Sequence, residues 1–233
     1  DIEGWCGMYE QLKIPKTCSV DKTIFKKMFL ENCDLSVADR KVFSDMIGKV
    51  IWKYSLKVDN YYLRPYVDEQ REYREIEILE VQLNKQSKEK RIAELIMHAI
   101  PYPMILVLRF ESEIQLWVSH QRNSQNDRDK NVLEDLLGTE WLQEADLADI
   151  LPFEQFKRTN CYVFYSEVVD AISRFNVKDY SKQSLSGEEA RLLLKKETEK
   201  EVKLAKLRAQ LKKETQFNKR VEISMQIRKV EKE

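Results

Sequence analysis

A chain of 233 residues and 27.8 kDa is long enough for one sizeable core and an appendage. With 42% hydrophobic and 34% charged residues it is too apolar to be disordered, and five Gly, five Pro and four Cys exclude collagen-like, loop-dominated and disulfide-knot classes. Forty basic residues balance forty acidic ones overall, yet Ser184 to Glu233 holds ten Lys and four Arg against nine Glu, a net +5 that leaves the first 183 residues at −5.

Asp1 to Gly7 has no periodicity, so Met8 is taken as the start for fold reasoning. Ser19, Val20 and Asp21 lead into Ile24, Phe25, Met28 and Phe29, whose spacing predicts a first short amphipathic helix. Ser36, with Asp39 three residues on, reads as the N-cap of a second helix carrying Val42, Phe43, Met46, Ile47, Val50, Ile51 and Tyr54 toward the core. Tyr73 to Leu83 alternates Ile76 and Ile78 with Glu75 and Glu77 before Leu79 shifts the phase, which predicts a strand with a bulge near Ile78-Leu79.

Arg91 to Ile100 places Ile92, Leu95, Ile96 and Ala99 on one helical face, and Pro101 and Pro103 end that helix. Met104–Phe110 and Glu113–His120 are strand-length runs separated by two residues, an antiparallel hairpin, and the preceding strand joins it through a helix and lies parallel. Gln121 to Lys130 is a polar surface loop, and Phe153 to Phe175 carries apolar residues at mostly helical spacing. The expectation for 8–183 is an α+β domain, with a mixed sheet, an antiparallel hairpin and flanking helices.

Residues 184–233 are expected to form a long, amphipathic, coiled-coil-like helix. Leu204, Leu207 and Leu211 follow the spacing of a seam, Lys200 and Glu214 interrupt it, and Phe217, Val221, Ile223, Ile227 and Val230 resume out of phase like a stutter. So thin an apolar face is marginal alone, which makes Leu204, Leu207, Leu211, Phe217, Val221 and Ile227 the candidate partner-binding residues.

The longest apolar run, Ile100–Leu108, is about half the ~20 residues that span a bilayer, and the N-terminal segment lacks a secretory pattern. A cytoplasmic chain without membrane contact is expected. Cys6, Cys18, Cys33 and Cys161 fit no CxxC spacing and read as reduced, partly buried thiols.

Chemistry is thinly signalled. The two histidines are His98 and His120, and HExxH, GxSxG, GxGxxG and GxxxxGK[ST] do not occur. Asp68, Glu69, Glu75, Glu77 and Glu80 lie on or before one strand where carboxylates could hold Mg²⁺ for a nuclease, but Gln82 stands where such strands normally carry Lys, and a solvated strand face explains them as well. His98 is read as packed or capping. His120, Arg122 and Asp127, at a strand end and in its polar loop, form the candidate polar site, with an ordinary wet loop as the alternative. Trp52, Trp117 and Trp141 are core or core-rim residues. No catalytic residue, metal or cofactor is assigned.

IPK at Ile14–Lys16, IWKYSL at Ile51–Leu56, the EIEILEVQL strand, AIPYPMILVL at Ala99–Leu108, SHQR at Ser119–Arg122, TEW at Thr139–Trp141 and KKETQFNKRVEISMQI at Lys212–Ile227 together resemble the bacterial domain-of-unknown-function 4391 family. The resemblance covers nearly the whole chain from about Met8 and carries over no catalytic residues. Genes of that family often stand beside helicase and DNA methyltransferase genes in restriction or phage-defence loci. It therefore implies an accessory subunit whose partner is such an enzyme, or a second copy, with nucleic acid reached through the complex. The alternatives are a divergent metal-dependent nuclease and a subunit that binds DNA through its tail.

Overall fold

The computed structural model describes residues 7–124, 131–177, 187–214 and 217–232. In chain order the elements are α1 (Gly7–Glu10), β1 (Ser19–Ile24), α2 (Lys26–Asn32), α3 (Val37–Met46), β2 (Ile47–Leu56), α4 (Val58–Tyr61), β3 (Tyr66–Val67), β4 (Glu72–Tyr73), β5 (Ile76–Leu83) and α5 (Glu89–Ala99). There follow β6 (Met104–Phe110), β7 (Glu113–Val118), β8 (Gln121–Asn123), β9 (Asn131–Leu133), β10 (Leu137–Gly138), β11 (Leu142–Gln143), α6 (Leu147–Ile150), α7 (Cys161–Asn176), α8 (Gly187–Lys213) and α9 (Phe217–Lys232). The chain divides after Asn176 into two compact units.

The first unit is built on a seven-stranded mixed sheet in the order β1-β2-β5-β6-β7, with β10 and β11 both pairing β7. β5 and β6 are its parallel pair, joined over the sheet by α5, because parallel neighbours need a crossover. β6 and β7 form the expected antiparallel hairpin. Alternate residues of the central strands feed two cores. Ile76, Ile78, Ile105, Val107, Leu116 and Val118 pack toward α7, and Leu79, Val81, Leu106 and Leu108 pack toward α3 and α5. Burial on both faces is why these strands read as near-continuous apolar runs. The architecture is α+β, with a mixed sheet, an antiparallel hairpin, flanking helices and a long C-terminal helix.

The N-terminal third departs from the helical expectation. Ser36 does cap α3, its Oγ accepting from the Asp39 amide at 3.1 Å. The helix nevertheless stops at Met46, and Ile47, Val50, Ile51 and Tyr54 lie on β2, paired with β5. Strand pairing wins because β-branched residues fit a pleated surface and β5 supplies a long buried partner. Ser19–Ile24 likewise pairs with β2 as an edge strand instead of starting a helix. Of the apolar residues expected in that helix, Phe29 is buried but Phe25 and Met28 are exposed. The β2–β5 register shifts where Trp52 and Tyr54 face Leu79 and Ile78, so the bulge sits where expected but its extra residue, Lys53, belongs to β2.

Gly138 answers a packing demand. A Cβ there would meet the Trp117 ring at 2.6 Å across the β10–β7 pair. Gly138→Ala is expected to cost about 1–3 kcal/mol by overpacking, read as a lower midpoint in urea unfolding. An unchanged midpoint would show that the indole yields freely.

The second unit holds two helices where one was expected. α8 and α9 are separated by three residues and lie against each other, a short-loop helix pair. The out-of-phase second stripe therefore belongs to a separate helix and is not a stutter. On α8 the half-buried positions include Leu193, Glu197, Lys200, Leu204, Leu207 and Leu211, a heptad stripe with polar interruptions, and on α9 Ile227 and Val230 are buried.

Candidate functional site

The structure describes two of the three residues of the candidate polar site. His120 is buried, Arg122 lines an open pocket, and Asp127 lies outside the described residues. The imidazole is enclosed by tyrosines: Tyr73 stacks on it with ring centroids 5.9 Å apart, Tyr162 tilts against it at 5.1 Å and Tyr165 meets it edge-on at 5.3 Å. Nδ1 lies 3.0 Å from the Tyr73 hydroxyl and Nε2 lies 3.2 Å from Ser166 Oγ. Ser166 gives its own proton to the Tyr162 carbonyl one turn back, so its oxygen is left to accept from Nε2–H. The Tyr73 hydroxyl also lies 3.2 Å from the Gln121 carbonyl, so its one proton is shared between that oxygen and Nδ1. Burial is the main cause raising the Tyr73 and Tyr165 phenols far above their ordinary range, so both are neutral donors.

This constellation is assembled from β4, the residues between β7 and β8, and α7, and only His120 among its members stood out in the sequence. Tyr73, Tyr162, Tyr165 and Ser166 lie 47 or fewer residues from His120 but on separate elements, and their sequence signal is only an aromatic-rich start to α7. Tyr165 also closes the backbone here, accepting from the Ser119 amide at 3.1 Å and donating to the Met104 carbonyl at 2.6 Å.

Above His120 the segment expected to be a plain loop starts as a strand, β8, pairing with β9. With the tip of the β3–β4 hairpin it bounds a pocket of about 640 Å³ lined by Glu69, Gln70, Arg122, Asn123, Ser124 and Glu134. That is within the usual ligand-pocket range of about 300–1,000 Å³. Arg71 braces its base, donating to the Gln121 carbonyl at 2.9 Å and to Glu134 at 2.8 Å.

The β5 carboxylates are buried rather than solvated, each 2% exposed, and they point to opposite faces of the sheet. Glu80 accepts from the Tyr9 hydroxyl at 2.8 Å and pairs with Arg109 at 3.4 Å, and Arg109 in turn reaches Glu144. Glu77 takes hydrogen bonds from the Trp52 indole and, at 3.2 Å, from Ser55, whose Oγ is also 3.5 Å from Glu75. Burial, reinforced by Glu75, pushes the Glu77 carboxyl up to about 7. Two carboxylates on opposite faces cannot share one ion. Among the described residues no group of three or more His, Cys, Asp or Glu is placed to hold a metal.

His98 is exposed in the last turn of α5, where a basic side chain suits the helix dipole. Cys18 and Cys161 are buried free thiols and Cys33 is a half-buried one, with Cys6 outside the described residues. Of the candidate partner-binding residues, Leu204, Leu207 and Leu211 are half-buried and Ile227 is buried; Phe217 and Val221 lie on α9. Among the described residues no helix is long and apolar enough to cross a membrane.

A family model described as a domain of unknown function, DUF4391, matches residues 12–233. The chain belongs to the DUF4391 family. The DUF4391 match spans both compact units. No curated protein and no solved structure matches the DUF4391 chain.

Proposed function

We propose that this DUF4391 chain is a noncatalytic accessory subunit of a bacterial restriction or phage-defence complex, docking through its C-terminal helical unit on a helicase or methyltransferase subunit in the cytoplasm. One observation carries the docking surface: Leu192, Val202 and Met225 stand 56%, 50% and 66% exposed on helices otherwise dominated by Lys, Arg and Glu. Apolar side chains exposed on helices otherwise built of charged residues support a protein contact there. Because the Leu204, Leu207 and Leu211 stripe is already half-buried, the docking surface shifts to these outward residues. The class of partner rests on the gene neighbourhood that the family resemblance implies. The nuclease alternative has less support, since Glu77 and Glu80 face apart and each is occupied by other side chains.

The test is affinity purification of the natively expressed chain beside a triple variant, Leu192→Asp, Val202→Asp and Met225→Asp. All three side chains are exposed, so the fold should survive, as circular dichroism would report. The expected outcome is a DNA-processing ATPase or methyltransferase retained by the natural chain and lost with the variant. Retention by both, or a partner of neither kind, refutes the proposal.

A further inference from the structure

The net +5 of residues 184–233 is not spread evenly along them. Residues 203–220 hold five Lys and two Arg against the single carboxylate of Glu214, a net +6, and the rest of that stretch carries −1. The excess therefore sits at one end of the helix pair, where α8 finishes and α9 begins. Lys203, Lys206, Lys212, Lys213, Lys219 and Arg220 are all exposed, and among the described residues none of the six closes an ion pair.

Local helix energetics do not account for this cluster. Lys212 and Lys213 suit the C-terminal end of the α8 dipole, but Lys219 and Arg220 stand in the first turn of α9, which holds no acidic residue and where positive charge is unfavourable. Lys203 and Lys206 are like charges three residues apart, a spacing that brings them together on one helix face. A polyanion relieves repulsion of this kind.

Among the described residues, the side chains exposed between Lys203 and Arg220 are Lys, Arg, Gln and Ala. Protein contacts are depleted in Lys and rely on large apolar or aromatic anchors, and a helix lying on a membrane needs an apolar face. Phosphates need neither, because release of their counterions gives affinity to charge alone. These exposed side chains include no aromatic ring on which unpaired bases would stack, which favours a duplex. Lys203 and Lys213 lie about 15 Å apart along α8, the axial length of about four phosphates of one strand.

We infer that the turn end of the α8–α9 pair binds the phosphate backbone of a nucleic-acid duplex without reading its sequence. Leu192, Val202 and Met225 lie outside residues 203–220, so the inference does not rest on the docking proposal.

Fluorescence anisotropy on the full chain tests it with labelled duplexes of mixed sequence and about 20 bp, one of DNA and one of RNA. At about 50 mM salt a micromolar Kd is expected, with log affinity falling against log salt at a slope of about −5 for six contacts. The variant Lys212→Gln, Lys213→Gln, Lys219→Gln and Arg220→Gln should bind at least about tenfold more weakly, with the slope reduced to about −2. A control with the same change of charge outside the cluster, Lys195→Gln, Lys196→Gln, Arg228→Gln and Lys229→Gln, should stay within about threefold of the natural chain. All eight positions are exposed, so both variants should keep the natural circular dichroism. Binding of either duplex with this pattern supports the inference, and the ratio of the two affinities assigns DNA or RNA as the source. Equal losses in the two variants, tighter binding of the single strands or of poly-L-glutamate than of the duplexes, or no salt-dependent binding up to about 100 μM chain would each overturn it.

Discussion

Arg109→Ala is expected to destabilise the first unit by about 3–5 kcal/mol, because it leaves Glu80 as a buried carboxylate without its counter-charge. Arg109 is 5% exposed and Glu80 2%, and the remaining partners of Glu80 are neutral, the Tyr9 hydroxyl and the Gln82 side-chain amide. The same guanidinium reaches Glu144 and the Met8 sulfur, so one truncation loosens the contact between α1, the sheet and the segment before α6. Removing both charges, Arg109→Met with Glu80→Gln, should restore most of the loss, since an apolar or neutral pair carries no buried charge. Tryptophan fluorescence in urea reads this unit, where Trp52, Trp117 and Trp141 all lie. A double variant as unstable as the single one would show that packing of the arginine stem, not charge balance, dominates.

Glu77 has the opposite sign. Its carboxyl titrates near 7 in the folded chain against 4.5 as the reference, so the protein favours its protonated form. Its contribution is fully present below the unfolded value, fades as pH rises through about 7, and leaves the fold weakest in alkaline solution. The shift corresponds to about 3 kcal/mol at most, already net of the Trp52 and Ser55 hydrogen bonds, which favour the charged form. Glu77→Gln keeps an acceptor for Trp52 and carries no charge. It should raise stability by roughly 2–3 kcal/mol at about pH 8, change little at about pH 5, and flatten the profile between. Parallel pH profiles for the two proteins would contradict the assignment.

These two carboxylates show where sequence reading stops. Their positions on a strand are evident from the alternation around them, and the Lys usually found two residues beyond a nuclease carboxylate is visibly replaced by Gln82. That they are buried depends on α7 covering one face and α3 and α5 the other, contacts that reach across most of the first unit. Arg109 did leave a trace, as a charge inside the apolar run MILVLRF, which only an opposite buried charge explains. His120 was legible as a strand-end residue, whereas its tyrosine enclosure was not, because rings from β4 and α7 converge there only after folding.

Local chemistry determined the Ser36 cap, the proline stop after α5, the β6–β7 hairpin and the parallel crossover, since each rests on neighbours within a few residues or on a period long enough to be unambiguous. Tertiary contacts decided the rest. Val50 to Tyr54 fits a helical or an extended period equally well over so short a span, and pairing with β5 selected the strand. The C-terminal stripe is compatible with one long helix, and the mutual packing of α8 and α9 selected two. Short apolar patterns offer both states at similar local cost, so the larger area buried against distant partners chooses between them.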